Sequence, residues 1–89
     1  MFKKYAPKFI LVDAVKVTEE NLEEVALLCK GSVRGTKLPP KDRIIEFHNK
    51  LYDSTLHVNV GEWLMKGKDE GDFYPCKDEV FLQKYEGEL

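Results

Sequence analysis

The sequence has little of what metal-binding, secreted and membrane proteins depend on. It contains 89 residues but only two cysteines, Cys29 and Cys76, which stand 47 positions apart. That spacing gives neither the close ligand pairs of a zinc site nor a disulfide framework, so we expect free thiols and a cytosolic protein. No apolar run approaches the ~20 residues that a membrane span requires. The sequence therefore predicts no metal site and no membrane association.

Catalytic signatures are absent as well. There is no Gly-x-Ser-x-Gly nucleophile elbow, no phosphate-binding loop and no dinucleotide fingerprint. Cys76 has only Lys77 as a basic neighbour, and Cys29 falls on the apolar stripe of a predicted helix. Neither thiol is therefore placed as an activated nucleophile. The sequence predicts no enzymatic activity and no cofactor.

The charge is nearly balanced, with fourteen Lys and Arg against sixteen Asp and Glu and a net charge of −2. Because nucleic-acid-binding domains are usually basic, nucleic acid is not the expected partner. Hydrophobic residues make up 43% of the chain, as in an ordinary globular protein. The length suits a single domain over residues 1–89. A core of this size is modest, which favours a homo-oligomer.

A helix is predicted over residues 19–30. Thr18 is a suitable N-cap, and acidic residues follow it in the first turn, where the helix dipole favours negative charge. The apolar positions recur with a helical period: Leu22, Val25, Ala26 and Cys29. Gly31 then offers the left-handed residue that commonly closes a helix.

Strands are predicted on both sides of this helix. Residues 9–17 are rich in β-branched and apolar side chains on both faces, which indicates a strand covered on both sides. Residues 32–38 fit either a short strand or a mobile loop, and Pro39-Pro40 ends the segment because proline cannot donate to a ladder. A mobile loop at this position would be a natural lid over a site.

A hairpin is predicted over residues 43–60. Apolar and polar residues alternate in 43–48 and again in 55–60, and turn-forming residues lie between the two stretches. Matching the apolar faces sets Ile45 and Phe47 against Leu56 and Val58. The other face of the hairpin then carries four polar side chains: Glu46, His48, Thr55 and His57.

The C-terminal third predicts shorter elements. Residues 63–65 form a strand, 67–71 a polar turn and 73–74 a returning strand that Pro75 stops. Residues 78–84 predict one or two helical turns with Val80 and Phe81 facing inward. The predicted fold class is α+β: one N-terminal helix packed on a small, mostly antiparallel sheet that could curl toward a barrel.

Charge is distributed unevenly along the chain. Residues 30–43 carry five cations against one acid, whereas residues 69–89 carry seven acids against two lysines. Such asymmetry can mark a patch for an anionic partner, although a solvated loop and tail would have the same composition. The basic segment therefore indicates a candidate ligand surface.

Aromatic side chains are expected near this basic segment. Cationic groups that bind phosphate and an aromatic face that stacks on a base are the parts that a nucleotide-like ligand requires. The rings could also fill the core, an interpretation favoured for Phe73 and for Trp63. The candidate ligand-binding residues are Arg34, Lys37, Arg43, His57, Trp63 and Tyr74.

The polar face of the hairpin allows one catalytic hypothesis. His48 and His57 share that face with Glu46, which is the arrangement of a base and its orienting acid. The same pattern describes any solvent-facing sheet surface. A weak hydrolase that uses these three residues is therefore one further hypothesis.

Two stretches of the C-terminal half form a recognisable signature. Residues 60–67 read VGEWLMKG, residues 71–76 read GDFYPC, and Phe81 and Tyr85-Glu86 follow. This pattern resembles the C-terminal signature of small tailed-phage and prophage proteins with a PGDYG-type motif, and residues 9–16 resemble their opening strand. The chain departs from that pattern at Val60, where the family has proline, and at Glu62, where it has aspartate. These differences predict a looser corner in the same fold.

The resemblance implies a bacteriophage protein that works in the cytoplasm of the bacterial host. The resemblance gives no established catalytic residues that could be assigned to this sequence. Small phage proteins without catalytic apparatus usually act by binding. The resemblance thus implies a non-enzymatic accessory protein that sequesters a small anionic, nucleotide-derived molecule, such as a host immune signal. The alternative is an adaptor or inhibitor of a host protein that acts through the acidic C-terminal region.

Overall fold

The computed structural model describes residues 1–7 and 12–88. Within these residues the chain forms eight strands and two α-helices in two antiparallel sheets, ordered β7-β6-β2-β1-β8 and β3-β4-β5. The elements are β1 (Lys3–Pro7), β2 (Val12–Lys16), α1 (Leu22–Leu28), β3 (Ser32–Arg34), a 3₁₀ turn (Pro40–Asp42), β4 (Ile44–Asn49), β5 (Ser54–Asn59), β6 (Trp63–Lys66), β7 (Phe73–Cys76), α2 (Asp78–Lys84) and β8 (Tyr85–Glu88).

This architecture confirms the predicted α+β class and corrects its details. The strands divide into two sheets, and the outer strands of each sheet are different elements, so neither ladder closes into a barrel within the described part of the chain. Helix α1 follows β1 and β2, which already pair with each other, and a second helix precedes β8. The predicted helix therefore forms after two strands, the helical turns predicted over 78–84 form a second helix, and the prediction of a single sheet was wrong.

The first predicted strand forms in its second half, as β2, and residues 9–11 lie outside the described residues. In the segment 32–38, where a strand and a loop were both open, only Ser32–Arg34 forms a strand. Strand β7 runs through Pro75, which pairs with Leu64, instead of stopping there. Because β7 is an outer strand, the missing N–H of the proline costs no ladder bond on its open side.

Helix α1 is shorter than the predicted 19–30 because Asn21, and not Thr18, stands at its N-cap position. The Asn21 Oδ1 atom accepts the backbone N–H of Thr18 at 2.8 Å, and its Nδ2 donates to the carbonyl of Lys16 at 2.9 Å. These bonds stabilise a turn between β2 and the helix. The helix therefore begins at Leu22.

The end of α1 also differs from the prediction. Lys30, and not Gly31, adopts the left-handed conformation, with φ of 54°. The Gly31 N–H donates to the carbonyl of Ala26 at 2.8 Å and the Lys30 N–H donates to that of Leu27, the two bonds of a Schellman motif. Glycine is required at position 31 because a Cβ atom there would lie 2.5 Å from the carbonyl oxygen of Glu46. Gly31 therefore brings the helix end directly against β4.

The main core lies between α1 and the two sheets. All four residues of the predicted helical stripe are buried in it, together with apolar residues of β2, β4, β5 and β6. The hairpin register is confirmed, because Ile45 pairs with Val58 and Phe47 with Leu56. Removing this apolar surface from water supplies most of the stability of so small a domain.

A second, smaller core holds α2 against the first sheet. Helix α2 forms over Asp78–Lys84, as predicted, with Phe81 3% exposed and Val80 half-buried. The Phe81 and Trp63 rings stack with centroids 3.7 Å apart and planes at 7°. The Trp63 indole N–H donates to the Asp78 Oδ1 atom at 2.9 Å, and the Lys16 ammonium lies 3.4 Å from the same oxygen.

Acid is expected to weaken this anchor of α2. The hydrogen bond from Trp63, aided by Lys16, lowers the pKa of the Asp78 carboxyl below its ordinary value. A depressed folded pKa contributes stability that is present above the unfolded pKa and is lost as the pH falls through the folded pKa. We expect Asp78→Asn to show a flatter dependence of the free energy of unfolding on pH below about pH 4. Urea denaturation at several pH values measures this, and an unchanged slope would contradict it.

Candidate anion-binding site

A cleft of about 410 Å³ lies where the end of α1, the end of β4 and the β6–β7 turn meet. Its volume is in the range of small-molecule sites. Four exposed lysines and a histidine line it: Lys30, His48, Lys50, Lys66 and Lys68. Asp69 and Glu70 line the same cleft, so these lysines and acids sum to four positive and two negative charges. The cleft therefore has a positive excess that suits an anion.

The three segments that form the cleft lie side by side. Gly31 brings the end of α1 against β4, as described above. The backbone N–H of Lys50, just after β4, donates to the carbonyl of Gly71 in the β6–β7 turn at 3.0 Å. The end of β4 thus lies between the helix end and the turn, and the lysines are distributed along all three segments.

Gly71 sets the path of the Lys50 side chain. A Cβ atom at position 71 would lie within 2.7 Å of the Lys50 Cδ atom and 2.8 Å of its Cβ. The backbone of Gly71 is also left-handed, with φ of +77°. Glycine is therefore required here both by conformation and by the close approach of the lysine stem. The methylene stem of Lys50 packs on the turn and lines the same cleft as Lys66 and Lys68.

Asn49 fixes the wall between β4 and the turn. Its side chain is 1% exposed, and among the described residues it is the buried polar one. The Nδ2 group donates to the Asp72 Oδ1 atom at 3.0 Å and to the carbonyl of Phe73 at 2.7 Å, while Oδ1 accepts the N–H of Tyr52 at 2.9 Å. Buried polar groups that are fully bonded in this way rigidify their surroundings. The cleft is built on a fixed frame.

Two non-glycine residues in the described chain have positive φ, Lys30 and Asp53. Lys30 lines the cleft with φ of 54°, and Asp53, with φ of 50°, holds the Nε2 atom of the lining residue His48 at 3.0 Å. A left-handed conformation is unfavourable for residues with a Cβ, and such residues cluster at functional sites. Lys30 in the lining of the cleft, with Asp53 in contact with the lining residue His48, supports a functional role for the cleft.

Replacing Lys30 by glycine should therefore separate stability from binding. Glycine adopts the left-handed conformation without the steric cost of a Cβ, so we expect Lys30→Gly to raise the free energy of unfolding by about 0.5–1 kcal/mol. The same change removes one cation of the cleft and should weaken the binding of an anion such as inorganic pyrophosphate. Urea denaturation and calorimetric titration measure the two effects. A variant that is less stable, or that binds pyrophosphate as tightly as the original chain, would contradict this.

The thiols show no sign of activation. Cys29 lines the cleft but is 3% exposed, and burial raises the pKa of its thiol. Desolvation also raises the pKa of the Cys76 thiol, which is not among the residues lining this cleft. Both groups are thus neutral thiols at neutral pH and poor nucleophiles. In the described part of the chain, no group of three potential metal ligands comes together.

The three basic residues predicted to bind phosphate lie away from the cleft. Arg34 is exposed on β3 and contacts Glu46 at 3.4 Å. The Arg43 guanidinium donates to the carbonyls of Leu38 and Thr36, at 3.0 and 3.1 Å, and so closes the loop between β3 and β4. Lys37 is exposed in that loop. The structure gives Arg43 a loop-closing role.

The other three predicted residues do not line the lysine cleft either. His57 lies in a different, shallow hollow together with Glu62 and Lys77. Trp63 is 8% exposed and one face of its ring is covered by Phe81, and Tyr74 is half-buried against the same small core. None of the six predicted residues lines the lysine cleft.

The polar face of the hairpin has the predicted composition. Glu46 is directly opposite His57 in the ladder, and His48 is opposite Thr55. The side chains pair differently from the hydrolase hypothesis, since Glu46 contacts Arg34 and His48 contacts Asp53. His48 thus lines the lysine cleft and pairs with Asp53, while Glu46 pairs with Arg34, so these contacts do not join the three residues of the hydrolase hypothesis.

Three of the cleft lysines were missed in the sequence because they are scattered over it. Lys50 lies in the predicted hairpin turn, Lys66 directly follows a predicted strand, and Lys68 lies in the predicted polar turn. The neighbouring Gly71 was a signal of close approach, but its partner, the Lys50 stem, is 21 positions away. Only the pairing of the β4 end with the β6–β7 turn brings them together.

Comparisons with known proteins add no relative. No protein-family model, curated protein or solved structure matches the chain. The resemblance to phage proteins therefore stays a prediction that rests on the quoted motif. Among the described residues, no helix is long and apolar enough to cross a membrane.

Proposed function

We propose that this protein binds and sequesters a small anionic, nucleotide-derived molecule without transforming it. The observation that supports this is the convergence of four lysines and His48 on one cleft of about 410 Å³. Lysine ammonium groups bind phosphate oxygens through charge-assisted hydrogen bonds. The proposal keeps the predicted ligand class and moves the site from the basic loop to the lysine cleft.

The cleft also offers contacts for the other parts of a nucleotide. Leu28 and Phe73 provide apolar surface on which a base can pack. The carboxylates of Asp69 and Glu70 can accept hydrogen bonds from sugar hydroxyls. A purely inorganic anion would use the lysines and leave these contacts unmade. The mixed lining therefore favours an organic, ring-bearing anion.

The state of the buried thiol supports binding in place of nucleophilic catalysis. Burial raises the pKa of the Cys29 thiol and so keeps it neutral. A phage protein with such a site would act in the host cytoplasm by lowering the free concentration of a signal nucleotide made by a bacterial defence system. Sequestration of this kind requires tight binding at a fixed stoichiometry.

Native mass spectrometry tests this proposal and the predicted homo-oligomer together. The purified protein is measured before and after incubation with a small-molecule filtrate from infected cells that carry a signalling defence system. We expect a discrete added mass of a few hundred daltons per subunit or per dimer. A spectrum that stays unliganded with the filtrate and with added adenine nucleotides would contradict the proposal.

A second candidate function is supported by the position of β8. This acidic strand is an outer strand of the first sheet, and an outer strand can pair with a strand of another protein. The protein would then be an adaptor or inhibitor of a host protein. A truncation after Tyr85 that retained full activity would contradict this alternative.

A further inference from the structure

The cations of the cleft are spread along its length. Lys30 closes α1, Lys50 follows β4, and Lys66 and Lys68 belong to the end of β6 and the turn after it. The β4 end lies between the other two segments. A single phosphate offers three terminal oxygens around one phosphorus. Lysines that come from three segments can also contact an anion longer than one phosphate.

The charges are also graded along the cleft. Both acids, Asp69 and Glu70, lie on the β6–β7 turn next to Lys68, so they offset positive charge at that end. The excess positive charge therefore lies toward Lys30, Lys50 and Lys66. This gradient favours a ligand whose anionic part extends from the turn toward the helix end and whose hydroxyl groups lie near the acids.

The size of the cleft limits the rest of the ligand. Small-molecule sites range from about 300 to 1,000 Å³, and this cleft, at about 410 Å³, is near the lower end. That space suits one nucleoside with its phosphates and is small for an oligonucleotide. The apolar surface of Leu28 and Phe73 is correspondingly limited to one ring system.

We infer that the cleft selects a nucleoside 5′-diphosphate unit, an inference that rests on the proposed function. Lys50 and Lys66 bind the phosphate nearer the turn, and Lys30 binds the phosphate nearer the helix end. Lys30 is then the residue that distinguishes a diphosphate from a monophosphate. Its retention in a left-handed conformation, where glycine would be favoured, is consistent with this role.

Calorimetric titration with AMP, ADP and inorganic pyrophosphate tests the inference. We expect ADP to bind about tenfold more tightly than AMP and about tenfold more tightly than pyrophosphate. Equal affinity for ADP and AMP would overturn the diphosphate inference and leave the proposed function standing. Equal affinity for ADP and pyrophosphate would overturn the role of the nucleoside. Failure of all three to bind would overturn the inference and count against the proposed function itself.

Variants at position 30 show whether the preference arises from the cleft or from ligand charge alone. We expect Lys30→Gln to lower ADP affinity about tenfold and to leave AMP affinity within about twofold, while Lys30→Arg keeps the preference for ADP. Lys41→Gln, on the 3₁₀ turn, is the matched control and should leave both affinities unchanged. Equal losses for AMP and ADP in Lys30→Gln would overturn the assignment of Lys30 to the second phosphate.

Discussion

Asn49→Asp should lower the free energy of unfolding by about 3–5 kcal/mol, the cost typical of an unpaired buried charge. Asn49 is 1% exposed, and its Nδ2 group donates to the Asp72 Oδ1 atom and to the carbonyl of Phe73. The substitution replaces that donor by a carboxylate oxygen that faces two acceptors, one of them charged. It changes almost no volume, so the loss reports on hydrogen bonds and charge and not on a cavity.

Urea denaturation at neutral pH measures this loss, with Asn59→Asp as the control. Asn59 lies on β5 with an exposed side chain, so the same chemical change there should cost less than about 1 kcal/mol. If Asn49→Asp were as stable as the control, Asn49 would not hold the second sheet to the β6–β7 turn. The frame of the cleft would then need another explanation.

The double variant Lys50→Glu, Lys66→Glu should lose at least about 100-fold in affinity for ADP. Each lysine contributes a charge-assisted hydrogen bond worth about 1.5–3 kcal/mol, and a 1.4 kcal/mol loss is about tenfold. Reversal of the charge adds repulsion to the lost bonds. Both side chains are exposed, so the melting temperature should change little.

The control for this experiment is the double variant Lys37→Glu, Lys41→Glu. It changes the net charge by the same amount, at exposed positions between β3 and β4 that do not line the cleft. We expect its ADP affinity, measured by calorimetry at the same ionic strength, to change less than about threefold. Equal losses in the two double variants would show that overall charge, or the basic loop, governs binding instead of the cleft.

Much of the fold could be predicted because its signals are local. The alternation of apolar residues fixed the register of Ile45 and Phe47 against Leu56 and Val58, since a slip by one residue would reverse both faces. The period of the stripe from Leu22 to Cys29 likewise predicted which face of α1 is buried. Both patterns depend only on the geometry of one element or of one hairpin.

The ends of α1 could not be predicted because contacts made by a side chain and by a neighbouring strand determine where the helix begins and ends. Thr18 is a good N-cap by type, but the Asn21 side chain stabilises a turn before the helix. Gly31 adopts a left-handed conformation more easily than lysine, but here its missing Cβ lets the backbone approach β4 closely. Lys30 therefore takes the left-handed position, which no local rule indicates.

The candidate site could be predicted in its chemistry but not in its location. Arg43 and Trp63 have the side chains that a nucleotide site requires, yet the loop carbonyls bind one and Phe81 covers the other. In the sequence Lys50 looks like an ordinary turn residue and Lys66 like an ordinary strand-end residue. The long-range pairing that unites them at one cleft has no signature in either segment alone.

The most direct test of the central claim is a two-dimensional ¹H–¹⁵N NMR titration of the labelled protein with ADP. It reports on every backbone amide at once and so locates the ligand without assuming a site. We expect the largest shifts at the three cleft segments, around Lys30, Lys50 and residues 66–73. Shifts centred on Arg34, Lys37 and Arg43, or no shifts at millimolar ADP, would contradict the lysine cleft as the binding site.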